Sequence, residues 1–384
     1  MLNTYTKIAF LSILVILFFG KMDASASKTI KIGLVAPLNG QLEFLGQQIL
    51  TGALAAKDRI NQMGGVSGSK IEIIYRNDES NPATSVKLGN YLVEKEKVVA
   101  VIGHGYTSAT QAASNIYKRY KVPHIALGDS SPALTTDNPY VFRLCGRYDR
   151  QGQIVNIVLS ARHGNRGLAS IYKGTKGKQI SESAMPRSGF HFVQEISGHS
   201  HDQSISKLNF SGVKALLVAG LTVKEAVNFL RLSENRLGNS ELVFDDIAAY
   251  HPFSMLGNEK LNGIIFNTNC YVPTRHDVFQ FDCEYCAKQE DFQDLQQIGL
   301  SLHAHAAVEL LAHSITKGGY SDRNSISSEM RKLRVETSIG TVSFNNQGDI
   351  NASTSDGFTQ QLIYGWYMYS GNEILKCKKG RKWK

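Results

Sequence analysis

The sequence predicts an α/β protein of two doubly wound domains. Three observations carry this expectation. Continuous apolar strands alternate with amphipathic helical stretches from Thr29 onward. The same alternation restarts near Phe142. The chain of 384 residues is also too long for one ordinary core. Repeated β-α-β units with apolar strands imply parallel sheets covered by helices on both faces.

The elements follow in order. Ile30 to Val35 reads as the first strand. Ile49, Ala53, Ala56, Ile60 and Met63 recur at spacings of 4, 3, 4 and 3, one face of a helix that Gly64-Gly65 stops. Ile71 to Tyr75 is the second strand. Asn81-Pro82 opens a helix, with proline at its first position. Val98 to Gly103 is a buried strand, Thr107 to Tyr120 a helix, and Pro123 to Leu127 the fourth strand. In the second half, Phe142 to Leu144 is a short strand and Gln151 to His163 a helix. Leu168 to Tyr172 and Lys214 to Ala219 are strands. Val223, Ala226, Val227, Leu230 and Leu237 mark a helical face, and Leu242 to Phe244 begins a further strand.

Both ends of the chain lie outside this pattern. Lys7 precedes a short apolar run, Ile8 to Phe19, and Ala24-Ser25-Ala26 follows. The run is shorter than the ~20 residues a spanning helix needs. A charged start, an apolar core and an A-x-A site predict a signal peptide cleaved after Ala26, with an uncleaved anchor as the other reading. The formal net charge is +9, and six lysines and arginines of it fall between Lys376 and Lys384. Residues 376–384 are therefore expected to be a solvated basic tail, and no nucleic-acid partner follows from charge.

Five cysteines in a secreted chain permit disulfides and leave at least one thiol over. Cys283-Glu-Tyr-Cys286 has C-x-x-C spacing but neither the surrounding unit of a redox motif nor a second ligand pair for zinc. It is expected to be a local disulfide or two idle thiols. His199-Ser200-His201-Asp202 is expected to be a polar surface loop, and no metal or cofactor is expected.

Ligands of open α/β sheets sit beyond the carboxyl ends of the strands, and with two domains the natural site is the cleft between them. Gly103-His104-Gly105-Tyr106-Thr107-Ser108 follows the third strand. Thr107 or Ser108 is expected to cap the next helix, aiming N–H groups and a hydroxyl into the cleft. Gly128-Asp129-Ser130-Ser131-Pro132 follows the fourth strand, and Pro132 suggests a short helix starting near Ser131. Two such starts side by side would clamp a carboxylate. Gly-Asp-Ser also suits a hydrolase nucleophile at Ser130. That reading needs a histidine in reach, and none of His104, His124 and His251 is selected by spacing; the G-x-S-x-G elbow is absent. Asp129 either makes an Asx turn or demands positive charge on the ligand, which would favour a basic or amide-like solute.

The stretches "KIGLVAPLNGQLEFLGQQILTGALAAKDRINQMGGVSGSKIEIIYRNDESNPATSV", "VVAVIGHGYTSATQAASNIYKRYKVPHIALGDSSPALT" and "FRLCGRYDRQGQ" closely resemble the periplasmic leucine/isoleucine/valine-binding proteins, type I solute-binding proteins that feed ABC importers. The resemblance covers nearly the whole mature chain. It implies two Rossmann-like lobes joined by three crossover segments. It places residues 27–147 and 270–342 in the first lobe, and residues 148–269 and 343–375 in the second.

For the site, the resemblance implies that Thr107 and Ser130 bind a ligand carboxylate. Gly128 and Asp129 present backbone to the ligand, and Tyr106 and Ser108 stand at neighbouring positions. Asp246, with Asp245 one residue away, pairs with the ligand's ammonium and meets its partner only when the lobes close. Leu45, Gly177 and Leu221 stand where that family has tyrosines. The expected function is an extracytoplasmic, monomeric binding protein for an amino acid or amide-like small molecule, delivering to an inner-membrane ABC permease in the periplasm without catalysis. A ligand sensor of the same fold is the alternative, and a secreted hydrolase a third reading.

Overall fold

The computed structural model describes residues 29–185, 192–196, 201–233, 235–249, 263–268, 270, 295–319, 322–351, 366–370 and 373–376. The first sheet has five parallel strands: β1 (Ile30–Ala36), β2 (Ile71–Asn77), β3 (Ala100–Gly103), β4 (His124–Ala126) and β5 (Val141–Arg143), in the order β2-β1-β3-β4-β5. Between them run α1 (Glu43–Gln62), α2 (Pro82–Glu94) and α3 (Thr107–Arg119). Asn81 caps α2 as its sequence suggests, its side-chain oxygen accepting from the Ala83 and Thr84 N–H groups at 2.9 and 3.1 Å. Strands β1, β3, β4 and β5 are buried on both faces, which is why they read as unbroken apolar runs, whereas the edge strand β2 alternates buried and exposed residues.

The second lobe opens with α4 (Tyr148–His163), three residues earlier than its apolar spacing suggests. It continues through β6 (Leu168–Tyr172), α5 (Gly174–Ala184), β7 (Phe192–Glu195), α6 (His201–Ser206), β8 (Ala215–Ala219), α7 (Val223–Ser233), β9 (Glu241–Phe244) and β10 (Ile265–Asn267). The chain then returns to the first lobe with α8 (Leu295–Gly318), α9 (Arg323–Lys332) and the hairpin β11 (Arg334–Thr337) and β12 (Gly340–Ser343). It ends in β13 (Trp366–Ser370) and β14 (Glu373–Lys376). The second sheet, β14-β13-β10-β9-β8-β6-β7, is mixed: β13 and β14 pair antiparallel at one edge of an otherwise parallel sheet. That edge differs from the wholly parallel sheet expected. Lys376, expected in the tail, pairs with Tyr367 inside it.

Helix α8 buries its apolar residues, Ala304, Ala307, Val308 and Leu311 among them, in the first core. Phe344 and Ile350 join the same core, and Arg143 bridges Asp349. The chain therefore stays with the first sheet through Ile350, past the expected boundary at residue 342. The reason is packing, since the Phe344 ring meets Phe142 of β5 edge-on at 5.2 Å.

The chain passes between the two sheets three times, after Arg143, after Asn267 and after Ile350, and the described residues flanking these three passages lie together. The Arg143 and Ile350 backbones exchange hydrogen bonds with the third and first passages respectively: Arg143 N–H donates to Gly348 and Ile350 N–H donates to Arg143. The Gln151 side chain of α4 donates to the Asn267 carbonyl at 2.8 Å, and Cys145 and Cys270 form a disulfide between the first and second passages. Sequence spacing alone left that pairing open. The signal segment, His251, Cys283, Cys286 and residues 377–384 lie outside the described residues.

The disulfide closes a loop of 125 residues, for which chain entropy suggests a contribution of about 2–5 kcal/mol. Replacing Cys145 and Cys270 together by serine should therefore lower the free energy of urea unfolding by that amount. Superimposable unfolding curves for the two proteins would show that the bond adds nothing.

Candidate functional site

Because β3 pairs with β4, Val101 against His124 and Ile102 against Ile125, the loops leaving their carboxyl ends adjoin. Gly128 makes the close approach possible. A Cβ there would stand 2.3 Å from the Gly105 carbonyl carbon and 2.6 Å from the His104 oxygen. Thr107 is the first residue of α3, and its hydroxyl reaches the Gly128 carbonyl at 3.4 Å. The helix cap is Tyr106, with extended backbone and no side-chain capping bond. This corrects the expectation that Thr107 or Ser108 caps α3. The chain turns into the helix one residue earlier, and the Thr110 hydroxyl closes the turn onto the Tyr106 carbonyl at 2.9 Å. Thr107 is therefore released from capping. Tyr106 and Ser108 are exposed at the rim.

The next loop starts a short 3-10 helix, Pro132–Thr135, capped by Ser131, whose hydroxyl accepts from the Ala133 N–H. Asp129 makes an Asx turn, one carboxylate oxygen accepting from the Ser131 N–H at 2.7 Å. The other oxygen is buried, with Thr107 and Gln111 as the hydrogen-bonding neighbours of the carboxylate, and the residue is 1 % exposed. Burial pushes the Asp129 carboxyl up to about 6, against the opposing pull of the Ser131 N–H, the Arg143 charge, Gln111 and Thr107. Ser130 is buried, and its carbonyl accepts from the Tyr148 N–H at 3.0 Å. The first-lobe loop thus holds the first residue of a second-lobe helix.

The Tyr148 side chain carries the site across. Thr107 is its hydrogen-bonding neighbour in the first lobe, and Lys176 of α5 sits 5.7 Å from its ring centroid. Burial pushes the Tyr148 phenol up to about 12. The Lys176 ammonium meets Asp246 at 2.7 Å and Asp245 at 3.1 Å. Asp245 is fully buried and also accepts from the Gly220 and Ile247 N–H groups, at 2.9 and 3.2 Å. Its role is to tie the ends of β8 and β9 together. Desolvation nonetheless raises its pKa. Asp246, expected to meet its partner only on closure, already has one in Lys176. Lys176 follows β6 and Asp246 follows β9, the two strands that flank β8, which brings them within reach of each other across its carboxyl end.

The structure gathers Thr107, Gly128, Asp129 and Ser130 in one lobe and sets Asp246 in the other. Sequence reasoning passed over Tyr148, Lys176 and Gln111. Reading the residues after the Leu168–Tyr172 strand, as was done for the third and fourth strands, would have found Lys176. Leu45 and Leu221 are buried in the two cores, and a Cβ on Gly177 would lie 2.5 Å from the Ala219 oxygen, so tyrosines have no room there without backbone movement. His104 and His124 are engaged elsewhere. His104 lies between Asp78 at 2.6 Å and the Tyr117 hydroxyl at 3.1 Å, and His124 meets the Gly103 carbonyl at 2.6 Å. Neither serves Ser130. The side chains of the His199–Asp202 stretch lie outside the described residues.

A sequence model of the family described as "Periplasmic binding protein" matches residues 29–361. An "Amino acid binding protein" of Pseudomonas aeruginosa is 23% identical over 367 residues, covering 90% of this chain and 92% of that one. The "Leucine-, isoleucine-, valine-, threonine-, and alanine-binding protein" of the same organism is 25% identical, covering 89% and 91%. Among solved structures, the branched-chain amino acid transporter substrate binding protein LivJ from Streptococcus pneumoniae, in complex with isoleucine, superimposes with a TM-score of 0.72. It is 22% identical and is covered over 100% of its length by 91% of this chain. A solute binding protein of an ABC transporter from R. palustris, in complex with benzoate, superimposes at 0.70 with 14% identity, covering 91% of this chain and 95% of that one.

The folded pKa of Asp129 lies above its unfolded value near 3.8, so protonation favours the folded state. The stability this confers is present below pH ~4 and is lost as pH rises through ~6. Asp129→Asn keeps an acceptor for the Ser131 N–H and removes the charge. At pH 7.5 it should stabilise the ligand-free protein by about 2–3 kcal/mol, with the gain fading by pH ~4. Urea unfolding at the two pH values measures this, and an equal difference at both would rule out the buried charge as its cause.

Proposed function

The chain belongs to the periplasmic binding protein family, and from that premise we propose that it is the extracytoplasmic solute-binding component of an ABC importer. Its ligand is an amino acid or similar small polar solute held between the lobes. The observation that carries this reading is the meeting of hydroxyls and carboxylates from the strand ends of both lobes around Tyr148. Thr107 and Ser130 hold one end of the solute, with Gly128 and Asp129 shaping the loop and Tyr106 and Ser108 at its rim. Asp246, adjusted by Lys176, holds the other end. The named amino-acid ligands of the relatives support the ligand class.

A ligand bridging both lobes binds the closed state better than the open one, the condition for driving closure. The partner is an inner-membrane permease, to which the protein delivers as a monomer from the periplasm after removal of residues 1–26. No chemical step is assigned to the cleft, and no nucleic-acid partner is proposed.

Thermal-shift screening of the mature protein against amino acids and amides tests the function. A ligand at ~100 times its Kd should add ~2.7 kcal/mol of stability, and a panel without any shift would count against the reading. Thr107→Ala and Ser130→Ala should each weaken binding about tenfold to a hundredfold in calorimetric titration, with the fold intact. Unchanged affinity in both would remove the first-lobe hydroxyls from the site. Asp246→Asn should weaken an ammonium-bearing ligand by more than ~1.5 kcal/mol. Normal binding in that variant, with a loss in Asp245→Asn, would move the role to the neighbouring acid.

A further inference from the structure

A polar cluster lies beneath the first-lobe loops, outside the cleft. Asp78, His104, Tyr117 and His124 are all fully buried. The His104 Nδ1–H donates to Asp78 at 2.6 Å, and its Nε2 meets the Tyr117 hydroxyl at 3.1 Å. Asp78 also accepts from the Ser80 N–H at 3.0 Å and the Ser85 hydroxyl at 3.3 Å. Burial pushes the His124 imidazole down to about 3, so it is neutral, and its Nε2–H donates to the Gly103 carbonyl at 2.6 Å. The Tyr117 and His124 rings meet edge-on, 4.8 Å between centroids, and close the circuit.

The circuit ties several elements to one bend. Asp78 follows β2, Tyr117 belongs to α3, His124 opens β4, and Gly103-His104 turns the chain from β3 toward α3. The Asp78 N–H donates to the Ala36 carbonyl of β1 at 3.3 Å. Above the bend, the Thr110 hydroxyl donates to the His104 carbonyl at 3.4 Å. The neighbouring loop rests on the same carbonyl, 2.6 Å from where a Cβ on Gly128 would stand. The segments bearing Thr107 and Ser130 therefore both lean on the His104 backbone, whose side chain is held from below. Burying an acid beside an imidazole is costly, and well-packed apolar residues often give equal or greater stability. What the polar set adds is direction, because an imidazole bonded at both nitrogens has one orientation.

We propose that His104 is a positioning residue for solute binding: held by Asp78 and Tyr117, it fixes Thr107 and the Gly128–Ser130 loop before a solute arrives. Its purpose rests on the solute-binding reading, but the alignment of the loops is a property of the empty protein. Groups fixed in advance reduce the ordering cost of binding.

The test is hydrogen exchange of the ligand-free mature protein, read by mass spectrometry over residues 103–110 and 127–131. His104→Leu, which fills the space without a donor, should raise exchange there at least about tenfold and leave the second lobe unchanged. His104→Asn keeps a side-chain amide that can donate to Asp78 and should stay within about threefold of wild type. Tyr117→Phe deletes one hydroxyl and should raise exchange at least about threefold, which preserves the test should His104→Leu not fold. Leu310→Ala, a cavity in the same core away from the loops, should lower stability without loosening these segments selectively. In calorimetric titration L-leucine should bind His104→Leu about tenfold more weakly than wild type or His104→Asn. If wild type does not bind L-leucine, the exchange result decides alone. Exchange unchanged in His104→Leu and Tyr117→Phe, or raised equally in His104→Leu, His104→Asn and Leu310→Ala, would overturn the inference and leave the solute-binding function standing. A blank thermal screen would end that function and the inference with it.

Discussion

The fully buried guanidinium of Arg143 is the contact on which the site and the lobe junction both depend. It ends β5, donates to the Ser131 carbonyl at 2.5 Å and to the Thr135 hydroxyl at 3.0 Å, and pairs with Asp349 of the third passage. A charge so placed loses several kcal/mol of hydration, which only a partner and several hydrogen bonds offset. Here they come from two separate stretches of chain, residues 131–135 and Asp349, both held to the strand that carries Arg143. The loop bearing Asp129 and Ser130, the last strand of the first sheet and the return passage are therefore fixed relative to one another. Arg147 adds to the arrangement, pairing with Asp149 at 2.8 Å and reaching Asp349 at 3.6 Å.

That rigidity has a consequence for closure. Ser130 accepts from the Tyr148 N–H, so the first residue of α4 moves with the first-lobe loop or breaks this bond. The disulfide between Cys145 and Cys270 links two passages beside it. Motion between the lobes must then be taken up by a few backbone torsions around these points, which is how hinged domains close. The side chains that face the cleft ride on helix starts and strand ends, rigid parts of each lobe.

Each half also has its own electrostatic balance. In the second lobe, Lys176 moderates two adjacent acids, and backbone N–H groups stabilise the buried one. In the first, Asp129 lacks an equivalent cation of its own, since Arg143 is shared with Asp349. The asymmetry explains why desolvation dominates at Asp129. The two lobes therefore carry different charged groups at their strand ends.

The sequence by itself determined the alternation of strand and helix, the restart near Phe142, and the convergence of Thr107 with Gly128, Asp129 and Ser130. Local physics decides these: apolar runs mark strands buried on both faces, Gly64-Gly65 and Asn81-Pro82 mark helix ends, and adjacent parallel strands bring their following loops together. Only the tertiary structure decided which cysteines pair, where the chain leaves the first lobe for the last time, and that Asp246 already faces a lysine. Cys145 and Cys270, Phe142 and Phe344, and Lys176 and Asp246 are each far apart in sequence. Their contacts follow from how two separate sheets are joined and packed. No spacing along the chain encodes that arrangement, because it depends on the positions of every intervening element.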